Sequence, residues 1–258
     1  MATLPARSPV VGISISTTSY QEVLQAIDER PTDSGMVVTV CNVHSVMSAR
    51  GDEQLGAVIN GSEIATPDGV PLVWALRWTT QPDQTRVYGP ELMRSALVDA
   101  DDRNWNHFLY GSSPETLDAL TQAIASFAPD ASIVGKISPP FRDLTDEEEA
   151  TFLGEIRESG ADVVWVGLGM PKQEMWMGSV KDQLPGIALV GVGAAFDFLA
   201  GNVKQAPEWM QNSGLEWVYR LIQEPRRLWK RYIWNNPAFV VLLSQQLVAT
   251  RVLGRRKT

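Results

Sequence analysis

The chain has 258 residues, 44% of them hydrophobic and 20% charged, and a formal net charge of −8. This composition excludes a disordered, collagen-like or coiled-coil chain, and the acidic balance argues against nucleic acid as a partner. The single cysteine, Cys41, excludes an intrachain disulfide and fits a reducing compartment.

In chain order, apolar β-branched runs alternate with helical patterns. Val10–Ile15, Met36–Val40, His107–Tyr110, Ser132–Val134, Asp162–Val166 and Ile187–Val192 read as strands. Helices are expected near Ser19–Glu29, Val70–Trp78, Pro90–Asp99, Pro114–Phe127, Thr145–Ser159 and Pro171–Gln183. Strands alternating with helices predict an α/β, Rossmann-like, mostly parallel sheet. Ligands in such sheets bind outside the carboxyl ends of the strands. That rule puts Asn42, Gly111, the run Gly167–Gln173 and Asp197 on one rim.

Beyond a boundary near Gly201 the character changes, so residues 1–201 are expected to form the α/β core and 202–258 a helical appendage. Residues 218–258 carry nine Lys or Arg and one acid, Glu224, a local charge of +8 that leaves −16 for the rest. An acidic body with a basic tail points to an anionic partner for the tail. On a helix, Arg226, Arg227, Lys230, Arg231 and Trp234 fall within an arc of about 140°, opposite Leu228, Trp229, Tyr232 and Ile233. An apolar segment, 237–249, follows. It is shorter than the roughly 18 apolar residues of a membrane span, so the expectation is docking on a membrane surface. The N-terminus lacks the apolar run of a signal peptide.

Three turns carry candidate chemistry. In Thr66-Pro67-Asp68-Gly69-Val70-Pro71, Asp68 is either a general base facing a cleft or a helix N-cap. In Gly167-Leu168-Gly169-Met170-Pro171-Lys172-Gln173-Glu174, a strand ends in a Gly-x-Gly turn at a helix N-terminus. Backbone amides there suit an anion such as a diphosphate. Neither a G-x-G-x-x-G nor a G-x-x-x-x-G-K-[ST] motif is present, so dinucleotide and P-loop readings fail. In Gly191-Val192-Gly193-Ala194-Ala195-Phe196-Asp197, a carboxylate among apolar neighbours needs a partner, an arginine of the tail or a ligand hydroxyl. Asp99-Ala100-Asp101 reads as a solvated loop. His44 and His107 are too few and too far apart for a metal site, and Cys41 reads as a small buried hydrophobe.

Taken in order, these segments resemble the WecG–TagA–CpsF family of bacterial glycosyltransferases. The likeness rests on Asn42-Val43-His44, Pro67-Asp68-Gly69, Arg86-Val87-Tyr88-Gly89, Leu109-Tyr110-Gly111, Pro139-Pro140-Phe141, Gly169-Met170-Pro171-Lys172-Gln173-Glu174, the Asp197 segment, Ala206-Pro207, Glu216-Trp217 with Arg220, and Glu224-Pro225 with Arg227. The resemblance implies a metal-independent, inverting transferase without a cofactor. It would move a sugar, N-acetylmannosamine or another hexose, from a UDP-sugar to a polyprenyl-diphosphate-linked saccharide at the inner face of the cell membrane. It also implies roles: Asp68 as base; Asn42, Arg86, Gly111, Gly169, Lys172, Gln173, Glu174 and Asp197 around donor and substrate; Arg220, Arg227 and Arg231 at the diphosphate. Relatives often carry Thr at the position of Val40. Thr39 cannot replace it, because adjacent strand residues point to opposite faces. A homo-oligomer is compatible with the sequence. The competing readings are a non-catalytic nucleotide-sugar-binding module and a peripheral membrane scaffold.

Overall fold

The computed structural model describes residues 4–99 and 103–254, without the side chains of Arg227, Arg231 and 251–254. Ala100 and Asp101 of the expected Asp99–Asp101 loop, and the last three cations of the tail, lie outside the described residues. The chain opens with a hairpin of β1 (Arg7–Val10) and β2 (Ile13–Ser16), paired antiparallel. The expected single strand Val10–Ile15 is therefore two. Val11 and Gly12 both adopt positive φ, 53° and 89°, and this reverses the chain in a two-residue turn.

Next come α1 (Tyr20–Asp28), β3 (Met36–Cys41), α2 (Val43–Gly51), α3 (Glu53–Gly61), β4 (Ile64–Pro67), α4 (Val70–Thr79) and α5 (Gly89–Val98). The second half contains β5 (Asn106–Gly111), α6 (Pro114–Phe127), β6 (Ser132–Ile137), α7 (Asp146–Glu158), β7 (Val163–Gly167), α8 (Lys172–Val180), β8 (Ala188–Gly191) and α9 (Ala195–Leu199). Three helices follow: α10 (Glu208–Asn212), α11 (Glu216–Gln223) and the 30-residue α12 (Pro225–Gly254), which continues through Pro237. Several starts are set locally. Ser19 with Glu22, and Thr145 with Glu148, form capping boxes on α1 and α7. Ser113 caps α6 ahead of Pro114.

The main sheet has six strands in the order β4-β3-β8-β7-β5-β6, all parallel. Its central strands are apolar on both faces, as a sheet covered on both sides requires. Val38, Val40, Trp165 and Val190 pack under α1, α5 and α6. The alternate residues Val37, Val164, Val166 and Leu189 pack under α7 and α8. A third cluster joins the hairpin to α2, α3 and α4, and it includes Phe239 and Leu243 of α12.

Helix α12 is thus tied to the body along one side. Leu228, Phe239 and Leu243 are buried. The Gln246 side chain accepts from Val11 N at 2.7 Å and donates to Pro9 O at 2.7 Å. On the other side Trp229, Ile233, Trp234, Val240, Val241 and Val248 are exposed, within an arc of about 140° at 100° per residue. Arg226 and Lys230 fall in that same arc. The apolar and basic arcs expected from the sequence therefore do not separate. Leu228 faces inward, while Trp229 and Ile233 share the outward face with the cations. Segment 237–249 divides in the same way. Among the described residues no helix is long and apolar enough to cross a membrane.

Candidate active site

A cleft of about 750 Å³ opens outside the carboxyl ends of β3, β4, β5, β7 and β8, the place where open α/β sheets bind ligands. Each wall begins where a strand stops. Asn42 follows β3, Asp68 follows β4, Ser112 follows β5, Leu168–Met170 follow β7 and Val192–Ala195 follow β8; α11 closes one side with Glu216 and Arg220.

Asp68 is held by backbone and by charge. Its N–H donates to Cys41 O at 2.8 Å, which places it beside the end of β3. The N-cap of α4 is Gly69, which has no side-chain cap bond. The N-cap reading of Asp68 is therefore set aside, and its carboxylate serves another contact. Asp68 Oδ1 accepts from Arg86 Nη2 at 3.0 Å, and Arg86 Nε donates to the Asp68 carbonyl. The same Nη2 reaches Glu216 Oε2 at 2.7 Å. Arg86 lies over the Tyr88 ring, 4.1 Å from its centroid. All three charged side chains are mostly covered, at 15% exposed for Asp68, 19% for Arg86 and 16% for Glu216. Burial pushes the Asp68 carboxyl up to about 6; Arg86 pulls the other way, and Glu216 adds to the rise.

Gly69 lets two turns approach closely. A Cβ there would sit 3.2 Å from both Cα and Cβ of Asn42. Asn42 caps α2, its Oδ1 accepting from His44 N at 2.9 Å and Ser45 N at 3.3 Å. The two turns carrying Asn42 and Asp68 are therefore locked together at the mouth of the cleft.

Across the cleft, the first turn of α8 presents Gln173 and Glu174, 4% and 1% exposed. Gln173 Nε2 donates to Glu174 Oε1 at 3.0 Å, while Gln173 Oε1 and Glu174 Oε2 have no hydrogen-bond partner among the described residues. Desolvation raises the Glu174 carboxyl above its ordinary range. Gly169 takes φ 75° in the turn before α8, a backbone that favours glycine.

Lys172, adjacent in sequence, turns away. Its Nζ reaches Arg142 O at 3.4 Å and Asp143 Oδ1 at 4.0 Å on the surface, and it does not line the cleft. Gly111 takes φ 121° and abuts Gly167, where a Cβ would come within 2.6 Å of backbone; Ser112 and Ser113 line the cleft in its place. Asp197 lines the cleft on α9. Its Oδ1 accepts from Asn202 Nδ2 at 3.4 Å; of the two partners expected, a tail arginine or a ligand hydroxyl, the described contact is neither. Arg220 lines the cleft from α11, its guanidinium 5.6 Å from the centre of the Phe198 ring. The side chains of Arg227 and Arg231 lie outside the described residues. Val40 lines the cleft, whereas Thr39 is buried on the opposite face with its hydroxyl 3.4 Å from Ser62 Oγ.

Tyr88 and Glu216 stand in the sequence as landmarks without an expected role. Tyr88 had a local signal, since Arg86 and Tyr88 alternate on one extended segment and so share a side. Glu216 had none, because it meets Arg86 across 130 residues. Among the described residues no group of three His, Cys, Asp or Glu side chains converges in a way that suits a metal ion. Cys41 is buried, and desolvation pushes its thiol up to about 12, the state of an inert side chain.

This cleft, with a partly buried carboxylate at one lip and guanidinium groups beside it, is suited to take a proton from a hydroxyl and to stabilise an anion. The comparisons agree with a transferase. The Bacillus subtilis (strain 168) N-acetylglucosaminyldiphosphoundecaprenol N-acetyl-beta-D-mannosaminyltransferase is 30% identical over 223 residues, covering 86% of this chain and 84% of that protein. The family described as Glycosyl transferase WecG/TagA/CpsF matches residues 8–252. The chain belongs to the WecG/TagA/CpsF family and is a glycosyltransferase.

Proposed function

We propose that this glycosyltransferase moves a sugar, of the N-acetylmannosamine type or another hexose, from a UDP-sugar to a polyprenyl-diphosphate-linked saccharide. Transfer inverts the anomeric centre and needs no metal. The observation that carries the proposal is the Asp68 carboxylate, held at the lip of the cleft by Arg86 and pushed up by burial to about 6. A base in that range is mostly ionised at neutral pH and still accepts a proton effectively. In the reaction Asp68 takes the proton of the acceptor hydroxyl as that oxygen attacks C1 of the donor sugar. The bond from C1 to the diphosphate breaks, and UDP leaves with the charge.

Arg220, and Arg227 and Arg231 of α12, offset the charge of the leaving diphosphate. Amides at the start of α8 add to this. Asn42, Gln173, Glu174 and Asp197 supply polar contacts to the sugar and ribose. The polyprenyl acceptor is supported by the name of the Bacillus subtilis relative, whose product is built on N-acetylglucosaminyldiphosphoundecaprenol.

The same proposal gives residues 202–258 the role of a membrane-facing appendage. Its outward face on α12 presents Trp229, Ile233, Trp234 and Val240 together with cations, the make-up of an interfacial helix on an anionic surface. The site of action is the inner face of the cell membrane, where a lipid-anchored acceptor would meet the cleft.

The test is a UDP-release screen over UDP- and GDP-sugars with a short-chain lipid-diphosphate saccharide, with and without EDTA. Release from one UDP-sugar that survives EDTA is the expected result. Turnover only with a GDP-sugar would overturn the donor assignment, and loss in EDTA would overturn metal independence.

A further inference from the structure

The Asp68–Arg86 pair has a third member from a distant part of the chain. Glu216 opens α11, and its Oε2 lies 2.7 Å from the Arg86 nitrogen that also holds Asp68 Oδ1 at 3.0 Å. One guanidinium nitrogen thus bridges two carboxylates. Arg86 also stacks on the Tyr88 ring, 4.1 Å from its centroid, and the Tyr88 backbone N–H donates to Tyr20 Oη at 2.9 Å. The charge of Arg86 is thereby divided between two acids. Each carboxylate therefore governs how strongly the other is held.

We infer that Glu216 is a positioning residue for the transfer reaction, acting through Arg86 to orient the Asp68 carboxylate and to keep it basic enough to accept the acceptor's proton. This rests on the reading of Asp68 as the base. Without Glu216, Arg86 would belong to Asp68 alone, a tight ion pair that stabilises the ionised acid and makes it a weaker base. With Glu216 in place the cation is shared, and the second anion repels the charge on Asp68.

The groups facing Asp68 come from several elements. Arg86 and Tyr88 lie on the segment before α5, Glu216 and Arg220 on α11, Tyr20 on α1 and Cys41 on β3. Of the two acids in the triad, Glu216 alone is free of a part in bond making, so it can be changed without removing the base.

The experiment is the pH dependence of kcat/KM for UDP release in Glu216→Gln, Glu216→Met and Glu216→Asp, beside the wild type and Asp68→Asn, with thermal melts confirming that each variant is folded. The Gln and Met variants remove the charge at similar length, and the Met variant also removes any bond to Arg86. In both, the acid limb is expected to move down by on the order of one pH unit, with kcat falling several-fold and the donor KM little changed. Glu216→Asp keeps the charge and should return the limb toward the wild-type position. A limb that stays in place in both neutral variants would overturn the inference, whatever happens to the melting temperature. The reading of Asp68 is tested separately by Asp68→Asn, whose retention of near-wild-type turnover would remove both.

Discussion

The proton affinity of Asp68 gives a quantitative expectation for the effect of pH. An ordinary aspartate titrates near pH 3.9, so at pH 5 more than about nine-tenths of it is ionised. Burial, partly opposed by Arg86, brings Asp68 to about 6. At pH 5 only about one-tenth is then ionised, against most of it at pH 7.5. If the ionised form is the base, kcat/KM should fall about tenfold between pH 7.5 and pH 5, with a limb near 6. Initial rates of UDP release at subsaturating substrates would measure this. The nucleotide sugar has no ionisation of its own in that range.

Acid unfolding through Asp68 does not mimic the effect. The folded state binds this proton more tightly than the unfolded chain, so the contribution of Asp68 to stability falls as pH rises from about 4 to about 6. Acidification therefore favours the folded state at this residue. Far-UV circular dichroism at each pH would check that the chain is intact. Replacing Arg86 with Gln removes the compensating cation and should move the limb up. A profile flat down to pH 5 in folded wild-type protein would refute the assignment of Asp68 as a base with raised proton affinity.

Other expectations follow from packing. Gly69→Ala places a Cβ 3.2 Å from Asn42 Cα and Cβ. It should cost about 1–3 kcal/mol by overpacking, read from urea midpoints, and should lower kcat by more than about tenfold because the Asp68 turn is displaced. Phe239→Ala, at a site 1% exposed in the core joining α12 to the body, should cost about 3–5 kcal/mol. Trp234→Ala, at a site 74% exposed, should change stability by no more than about 0.5 kcal/mol while weakening sedimentation with anionic vesicles.

The sheet was legible because its central strands are buried on both faces. Met36–Cys41 and Val163–Gly167 have no polar side to confuse the pattern, and the rule that ligands bind at carboxyl ends then located the cleft. The hairpin was not legible, because Val10–Ile15 reads as one apolar run and its reversal depends on a valine at positive φ. β4 is four residues long and ends in Pro67, too short for periodicity to register. Helix α2 buries Ser45 beside Val46 and Ala49 and packs with α3 and α12, so it lacks the single apolar stripe that marks a surface helix.

At the site, the Asp68 turn, Asn42 and Gln173 were visible as local motifs. Direction was not: Lys172, Gln173 and Glu174 are consecutive, and 100° per residue sends Lys172 to the surface while its neighbours line the cleft. Nor was the link from Arg86 to Glu216, which exists only once α11 lies against the segment before α5. The net charge behaved similarly. Its sum pointed away from anionic partners, while its distribution pointed to the tail, where Arg220 lines the cleft and Arg226 and Lys230 lie on the outward face of α12.

The most direct test of the account is the turnover of Asp68→Asn in the full-length chain. UDP release should be measured with the preferred UDP-sugar and lipid-diphosphate acceptor, and donor binding should be measured by calorimetry on the same sample. The expected result is a loss of about 10²–10⁴-fold in kcat, the range of a general base, with donor binding retained. Near-wild-type turnover would contradict the account, because the side chain held by Arg86 at the lip of the cleft would then not be the base.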